Sequence, residues 1–255
     1  MNKLLESKQL SKSFVIGTDN ERRILKEVDL QIERGEFVAV MGPSGSGKST
    51  LLYNISGMDR MTSGRVVFNG HELSTLSEQA LARLRLTDMG FVFQHIHLLR
   101  NLSIFDNVIL PAYLARNGSR TMINQRAVEL MEKVGIADLA DHDITQASGG
   151  QLQRVGICRA LINEPDIVFG DEPTGALNSK AAGEIMELLD DINQLGTTIL
   201  LVTHDVKVAS RTERVLFMLD GRIISEKQLG KYSGDSSDSK TREERLSGWL
   251  LEMGF

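Results

Sequence analysis

Cysteine is nearly absent. Cys158 is the only one in 255 residues, which excludes an internal disulfide and removes the basis for a cysteine zinc site. No apolar run approaches the ~18 residues needed to span a bilayer. The opening Met1-Asn2-Lys3-Leu4-Leu5-Glu6 is too short and too soon polar for a secretion signal, so a soluble, cytoplasmic chain is expected. Basic residues are outnumbered, 29 Lys and Arg against 34 Asp and Glu, a net charge of −5. That balance argues against a general nucleic-acid-binding face, and no nucleic-acid partner is expected. Internal repeats are also missing. One small, polar stretch, residues 230–240, reads as a linker.

What remains is ordinary globular material, 41% hydrophobic and 25% charged. Its length fits one large domain or a core with a smaller subdomain. Phe37-Val38-Ala39-Val40-Met41, Ile167-Val168-Phe169 and Thr198-Ile199-Leu200-Leu201-Val202 are apolar throughout, as strands covered on both faces of a parallel sheet should be. Residues 179–195 carry apolar side chains at helical spacing before Gly196 stops them. Val66 to Phe68 before Asn69-Gly70, and Val215 to Leu219 before Asp220-Gly221, read as strands leading into tight turns. Between Leu98 and Leu161 the pattern is mostly helical, clearest over residues 121–134. The expected fold is α/β: a mostly parallel sheet, an antiparallel β subdomain and a helical insertion.

Four motifs carry chemistry. Gly42-Pro43-Ser44-Gly45-Ser46-Gly47-Lys48-Ser49, followed by Thr50, fits a phosphate-binding loop. Glycines let successive backbone N–H groups converge on phosphate oxygens, and the helix that follows aims its positive end at the same anion. Lys48 is expected to reach the β- and γ-phosphates, and Ser49 to ligate Mg²⁺. The apolar strand ending in Asp171-Glu172 offers one acid for magnesium and one for the attacking water. Thr203-His204-Asp205 ends another strand, where His204 is expected to meet the γ-phosphate. Ser148-Gly149-Gly150-Gln151 opens a helical run and reads as a second anion-binding nest or as an ordinary helix N-cap. Two nests imply two ligands, or one ligand shared across a dimer.

Taken together these residues resemble the ATP-binding subunit of an ABC transporter, from about Leu4 to Glu226. In that likeness residues 42–49 are the Walker A loop, Gln94 the Q-loop glutamine, and Ala147-Ser148-Gly149-Gly150-Gln151 the signature. Asp171 ends the Walker B strand, Glu172 is the catalytic carboxylate and His204 the switch histidine. The resemblance implies that Phe14 stacks on adenine and that Gln94 touches magnesium. It also implies that two copies sandwich two ATP molecules, each between one Walker A loop and the other copy's signature. Glu172-Pro173-Thr174-Gly175-Ala176-Leu177, Phe91-Val92-Phe93-Gln94 and Asp106-Asn107-Val108-Ile109-Leu110-Pro111 are similar to the branch that serves lipoprotein release, macrolide export and bacitracin-type peptide resistance.

By that resemblance the chain is an Mg²⁺-dependent ATPase at the cytoplasmic face of the membrane, driving a separate integral-membrane permease. Antimicrobial-peptide resistance is the first expectation. Lipoprotein release, macrolide export, or a soluble ABC ATPase without a permease are the alternatives. The signature opens with Ala147 where leucine is usual, Asn178 stands where aspartate is usual, and Arg100 replaces a common proline. None of the three removes a catalytic group. The expected boundaries are an ATPase domain at 4–226 with its helical insertion at about 98–161, a linker at 227–240, and an amphipathic helix at 241–255. Leu246, Trp249, Leu250 and Met253 form the apolar stripe of that helix, which is read as folding back on the chain's own core, docking on a partner, or lying at the membrane.

Overall fold

The computed structural model describes residues 3–16, 20–234 and 236–255. The chain divides into two units, Met1–Leu81 with Thr198–Phe255, and Ala82–Thr197.

In the first unit, β1 (Lys3–Ile16) and β2 (Asn20–Glu33) pair antiparallel, and β4 (Ser63–Phe68) and β5 (His71–Glu72) extend them in the order β2-β1-β4-β5. Val28, Leu30 and Ile32 alternate inward with Asp29 and Gln31 outward, the mark of a half-covered antiparallel strand. A second group of strands centres on β3 (Phe37–Met41). It runs parallel to β8 (Thr198–Val202) and β9 (Arg214–Leu219), and β9 turns back antiparallel into β10 (Arg222–Gln228). Every residue of β3 and β8 is buried, so both strands are covered on both faces. Helix α1 (Lys48–Ile55) follows β3, and the four-residue α7 (Val206–Ala209) follows β8.

Within α2 (Glu78–Thr87) the chain passes into the second unit. There β6 (Met89–Phe93) and β7 (Ile167–Asp171) run parallel, with Phe93 opposite Asp171. Phe91 stacks on Phe93 and on Phe169. The helices are α3 (Ile104–Ala115), α4 (Arg120–Lys133), α5 (Gly149–Leu161) and α6 (Ser179–Gln194). Ser103 and Ser119 cap α3 and α4 by accepting from Asp106 N and Met122 N, each worth about 1 kcal/mol.

Helix α8 (Ser236–Glu252) begins inside the stretch read as linker, and β10 runs two residues past Glu226. Leu246, Trp249 and Leu250 are buried in one cluster with Met41, Val215, Phe217 and Leu229 of the first unit. Trp249 meets Phe217 edge-on, with centroids 6.1 Å apart. Of the three readings of this helix, folding back on the chain's own core is the one observed. Arg242 of the same helix is 3% exposed. Its guanidinium donates to the carbonyls of Ser210, Leu229, Gly230 and Thr212 at 2.7, 3.0, 2.9 and 2.8 Å. A buried cation is tolerated only when its N–H groups are satisfied in this way.

Candidate nucleotide site

The phosphate loop is built at the carboxyl end of β3. At Gly42 the backbone passes so close to β9 that an added Cβ would sit 2.0 Å from the Met218 carbonyl oxygen, so only glycine fits. Gly47 stands at the N-cap of α1 with φ 102°, a left-handed conformation, and no side chain caps the helix. The start of α1 thus has no N-cap side chain, and it carries the positive end of the helix dipole. Lys48 Nζ donates to the carbonyls of Gly42 and Pro43 at 2.8 and 3.0 Å. Ser46 ties the loop to the β9–β10 turn, its carbonyl accepting from Gly221 N at 3.0 Å.

A cleft of about 430 Å³ opens over this loop, lined by Phe14, Arg22, Ile24, Gly45, Gly47, Lys48, Ser49 and Thr50. Phe14, 44% exposed, thus shares one cavity with the phosphate loop. Arg22 sits directly across the β1–β2 pair from Phe14 and was not foreseen from sequence. Beyond β8, Thr203 N donates to Val40 O at 3.1 Å, and Asp205 caps α7 by accepting from Lys207 N at 2.7 Å. His204 lies exposed between them.

The second unit carries the other motif residues. Gln94 N donates to Asp171 O at 2.9 Å, prolonging the β6–β7 ladder by one residue. The Gln94 amide packs on Gly175, where a Cβ would come within 3.0 Å of Nε2. Glu172 has φ 49°, and a non-glycine residue in that region costs about 1–3 kcal/mol. The bond from Gly175 N to Glu172 O, 3.0 Å, helps hold the turn. Next along the chain, Asn178 caps α6 by accepting from Ala181 N at 2.9 Å. An aspartate at this position would cap the helix equally well.

Signature residue Ser148 is the N-cap of α5 in a reciprocal capping box. Gln151 Oε1 accepts from Ser148 N at 2.8 Å, and Ser148 Oγ accepts from Gln151 N at 3.4 Å. The glycines behind it permit close approach: a Cβ on Gly150 would lie 3.3 Å from the Ala181 Cβ at the start of α6. Further along α5, one face grips the segments on both sides of Gln94. Gln153 Nε2 donates to Phe93 O at 3.2 Å, and a Cβ on Gly156 would lie 2.9 Å from Ile96 Cγ2. Arg159 donates to the carbonyls of Ile96 and His97 at 2.5 and 2.9 Å. The spacing i, i+3, i+6 puts all three residues on one side of the helix. Cys158 faces the core, and burial pushes its thiol up to about 12, so it is an inert packing residue.

Residues 25–175 match the model of the family described as ABC transporter. The chain belongs to this family. It is 43% identical over 224 residues to a lipoprotein-releasing system ATP-binding protein, LolD 1, of Rhodopseudomonas palustris, covering 88% of this chain and 99% of that protein. It is 42% identical over 249 residues to the macrolide export ATP-binding/permease protein MacB of Escherichia coli, covering 98% of this chain and 38% of MacB. The chain therefore spans little more than a third of that macrolide exporter. Among solved structures it matches a dimeric post-hydrolysis state of the ATP-binding cassette MJ0796 bound to ADP and Pi. The TM-score is 0.83 at 39% identity, over 90% of this chain and all of that one. The ABC ATPase is thus a fold of two observed units, an ATP-binding domain of the LolD and MacB type. Among the described residues no helix is long and apolar enough to cross a membrane.

Proposed function

We propose that this ABC ATPase closes as a dimer around two ATP molecules and transmits that closure to a separate membrane permease, from the cytoplasmic face. The observation that carries the reading is the single cleft that joins Phe14 to an uncapped, lysine-bearing helix start. Such a cleft suits one ligand with a flat aromatic end and a polyanionic end. Phe14 stacks the adenine. Residues 42–50 take the phosphates, and Lys48 exchanges its two loop carbonyls for β- and γ-phosphate oxygens. The signature nest, Ser148 to Gln151, serves the γ-phosphate bound by the second copy.

In hydrolysis a water oxygen bonds to the γ-phosphorus as the bridge to the β-phosphate breaks, yielding ADP and phosphate. Glu172 orients and polarises that water, and His204 contacts the γ-phosphate. The hydroxyl of Ser49, the amide of Gln94 and the carboxylate of Asp171 are hard oxygen donors, a set that suits magnesium. Held by these residues, magnesium would supply positive charge against the phosphates.

Within this type, peptide resistance is the proposed task, on the sequence's likeness to bacitracin-type systems. A second reading, lipoprotein release, is favoured by the near-complete coverage of LolD 1. Copurification from gently solubilised membranes tests both. A permease with a large extracellular domain supports the reading, and its length and domain make-up sort one cargo from the other. Recovery of no membrane protein, or of ribosomes or DNA, overturns the transporter role.

A further inference from the structure

Lys12 is a buried lysine, 8% exposed, two residues before Phe14. A buried ammonium must find compensating partners, and Lys12 has three. It donates to Asp59 Oδ1 at 2.7 Å and to Arg60 O at 2.6 Å, and its Nζ lies 4.8 Å from the centroid of the Phe14 ring. Asp59 and Arg60 belong to the segment leaving α1, the phosphate-loop helix, and Asp59 N donates to Tyr53 O in that helix at 3.0 Å. The neighbours of Lys12 are tied to the same segment. Thr62 N donates to Ser11 O at 2.9 Å, and Ser13 N donates to Thr62 Oγ1 at 2.9 Å. Three consecutive residues before Phe14 are thus anchored to the chain that emerges from the phosphate cradle. Phe14 lines the cleft, and the Lys12 ammonium stacks over its ring.

We propose that Lys12 is a positioning residue for the nucleotide base. It fixes the orientation of the Phe14 ring and the distance from that ring to the phosphate loop, so that a base stacks without first ordering an exposed aromatic side chain. The inference rests on the reading of Phe14 as the adenine platform.

The test compares magnesium ATP with inorganic tripolyphosphate, which has the phosphates and no base, by calorimetry on the full chain. Lys12→Met keeps the aliphatic stem and removes the charge. ATP affinity is expected to fall roughly 3- to 30-fold, the range of a lost cation–π contact, with tripolyphosphate affinity unchanged. Lys12→Arg restores ATP affinity, and Asp59→Asn, which loosens the ammonium while keeping the lysine, shifts ATP binding in the same sense as Lys12→Met. In the background of Phe14→Ala, Lys12→Met adds no further loss. Equal losses for both ligands, or a loss for neither, overturn the proposal. If Phe14→Ala itself leaves the ratio of the two affinities unchanged, the platform reading has failed. If Phe14→Ala moves that ratio and Lys12→Met does not, only the role of Lys12 has failed.

Discussion

Two helix starts in this molecule carry phosphate-binding motifs, and they are built in opposite ways. Helix α1 begins on Gly47 with no side-chain cap, and the first basic group beside it, Lys48, rests on carbonyls of its own loop. Helix α5 begins on Ser148 inside a complete capping box. The first helix has no N-cap side chain of its own, which suits the phosphate role proposed for it. In the second, Ser148 Oγ and Gln151 N already satisfy each other, so the anion proposed to bind there would do so by exchange. A start of the first kind holds a ligand alone, whereas one of the second kind suits a surface that adds the last contacts when a partner brings the ligand. This difference gives a physical reason for placing the two motifs on opposite sides of a dimer interface.

The comparison breaks most sharply at the glycines. Gly42→Ala would drive a Cβ to within 2.0 Å of the Met218 carbonyl. The expected loss is at least about 3 kcal/mol, because the clash is with backbone and φ is also unfavourable for alanine. Gly149→Ala meets only Leu177 Cδ2 at 3.6 Å, an ordinary contact, and should leave the melting temperature within a few degrees. Thermal melts of both variants decide it. Similar losses in the two would remove the claim that only the first loop is sterically fixed.

The next test is functional. Lys48→Ala is expected to cost at least about 100-fold in ATP affinity, since it removes the charge proposed to meet two phosphates. Ser148→Ala is expected to leave ATP affinity of the monomer unchanged and to lower turnover about tenfold, while helix α5 loses about 1 kcal/mol of capping. A tightly bound ATP in Lys48→Ala, or weakened monomer binding in Ser148→Ala, would erase the distinction between cradle and exchange site.

A third variant asks what α5 is attached to. Arg159 bonds the carbonyls of Ile96 and His97, and His97 has φ 51°. Arg159→Met should destabilise the chain by about 2–3 kcal/mol through two orphaned carbonyls and one lost charged donor. It should also lower turnover more than ATP affinity, because it frees the segment after Gln94 from the signature helix. Equal effects on both would make Arg159 a packing residue only.

These contrasts also show why the sequence yields some parts and conceals others. The phosphate loop, Gln94, the signature and Asp171-Glu172 lie in short contiguous strings whose chemistry can be named residue by residue. Arg159 and Gln153 act through backbone carbonyls some sixty positions away, and no local pattern announces such bonds. The strands β1 and β2 escaped because β1 shifts register between Lys3 and Leu5, Ser7 and Leu10, Leu10 and Lys12, and Lys12 and Ser13. Gln9 and Glu27 adopt positive φ along the same pair. Bulges of this kind break the period-two pattern that reveals a strand. The run Val28-Asp29-Leu30-Gln31-Ile32 did keep that period and would have exposed β2. With β2 in hand, Arg22 would have been a candidate cleft residue. Arg242 is hidden for a different reason: a charged side chain gives no sign in the sequence that four carbonyls will satisfy it in the interior.

The smallest expected effect concerns Asn178, where the family's aspartate is replaced. Asn178 Oδ1 accepts from Ala181 N, and aspartate caps a helix as well as asparagine does. Asn178→Asp should therefore leave stability within about 0.5 kcal/mol at neutral pH, with any gain coming from the added negative charge at the start of α6. That gain shrinks as pH falls through the carboxylate range, because a protonated aspartate keeps the cap geometry and loses the charge. Melting curves at pH 4 and pH 7 measure it. A gain well above 1 kcal/mol would mean that the amide is a poor cap here. Turnover that rises in Asn178→Asp at unchanged stability would instead locate the cost of asparagine in communication between the two copies. In that case the capped start of α6 would join that of α5 in the proposed contact with the second copy.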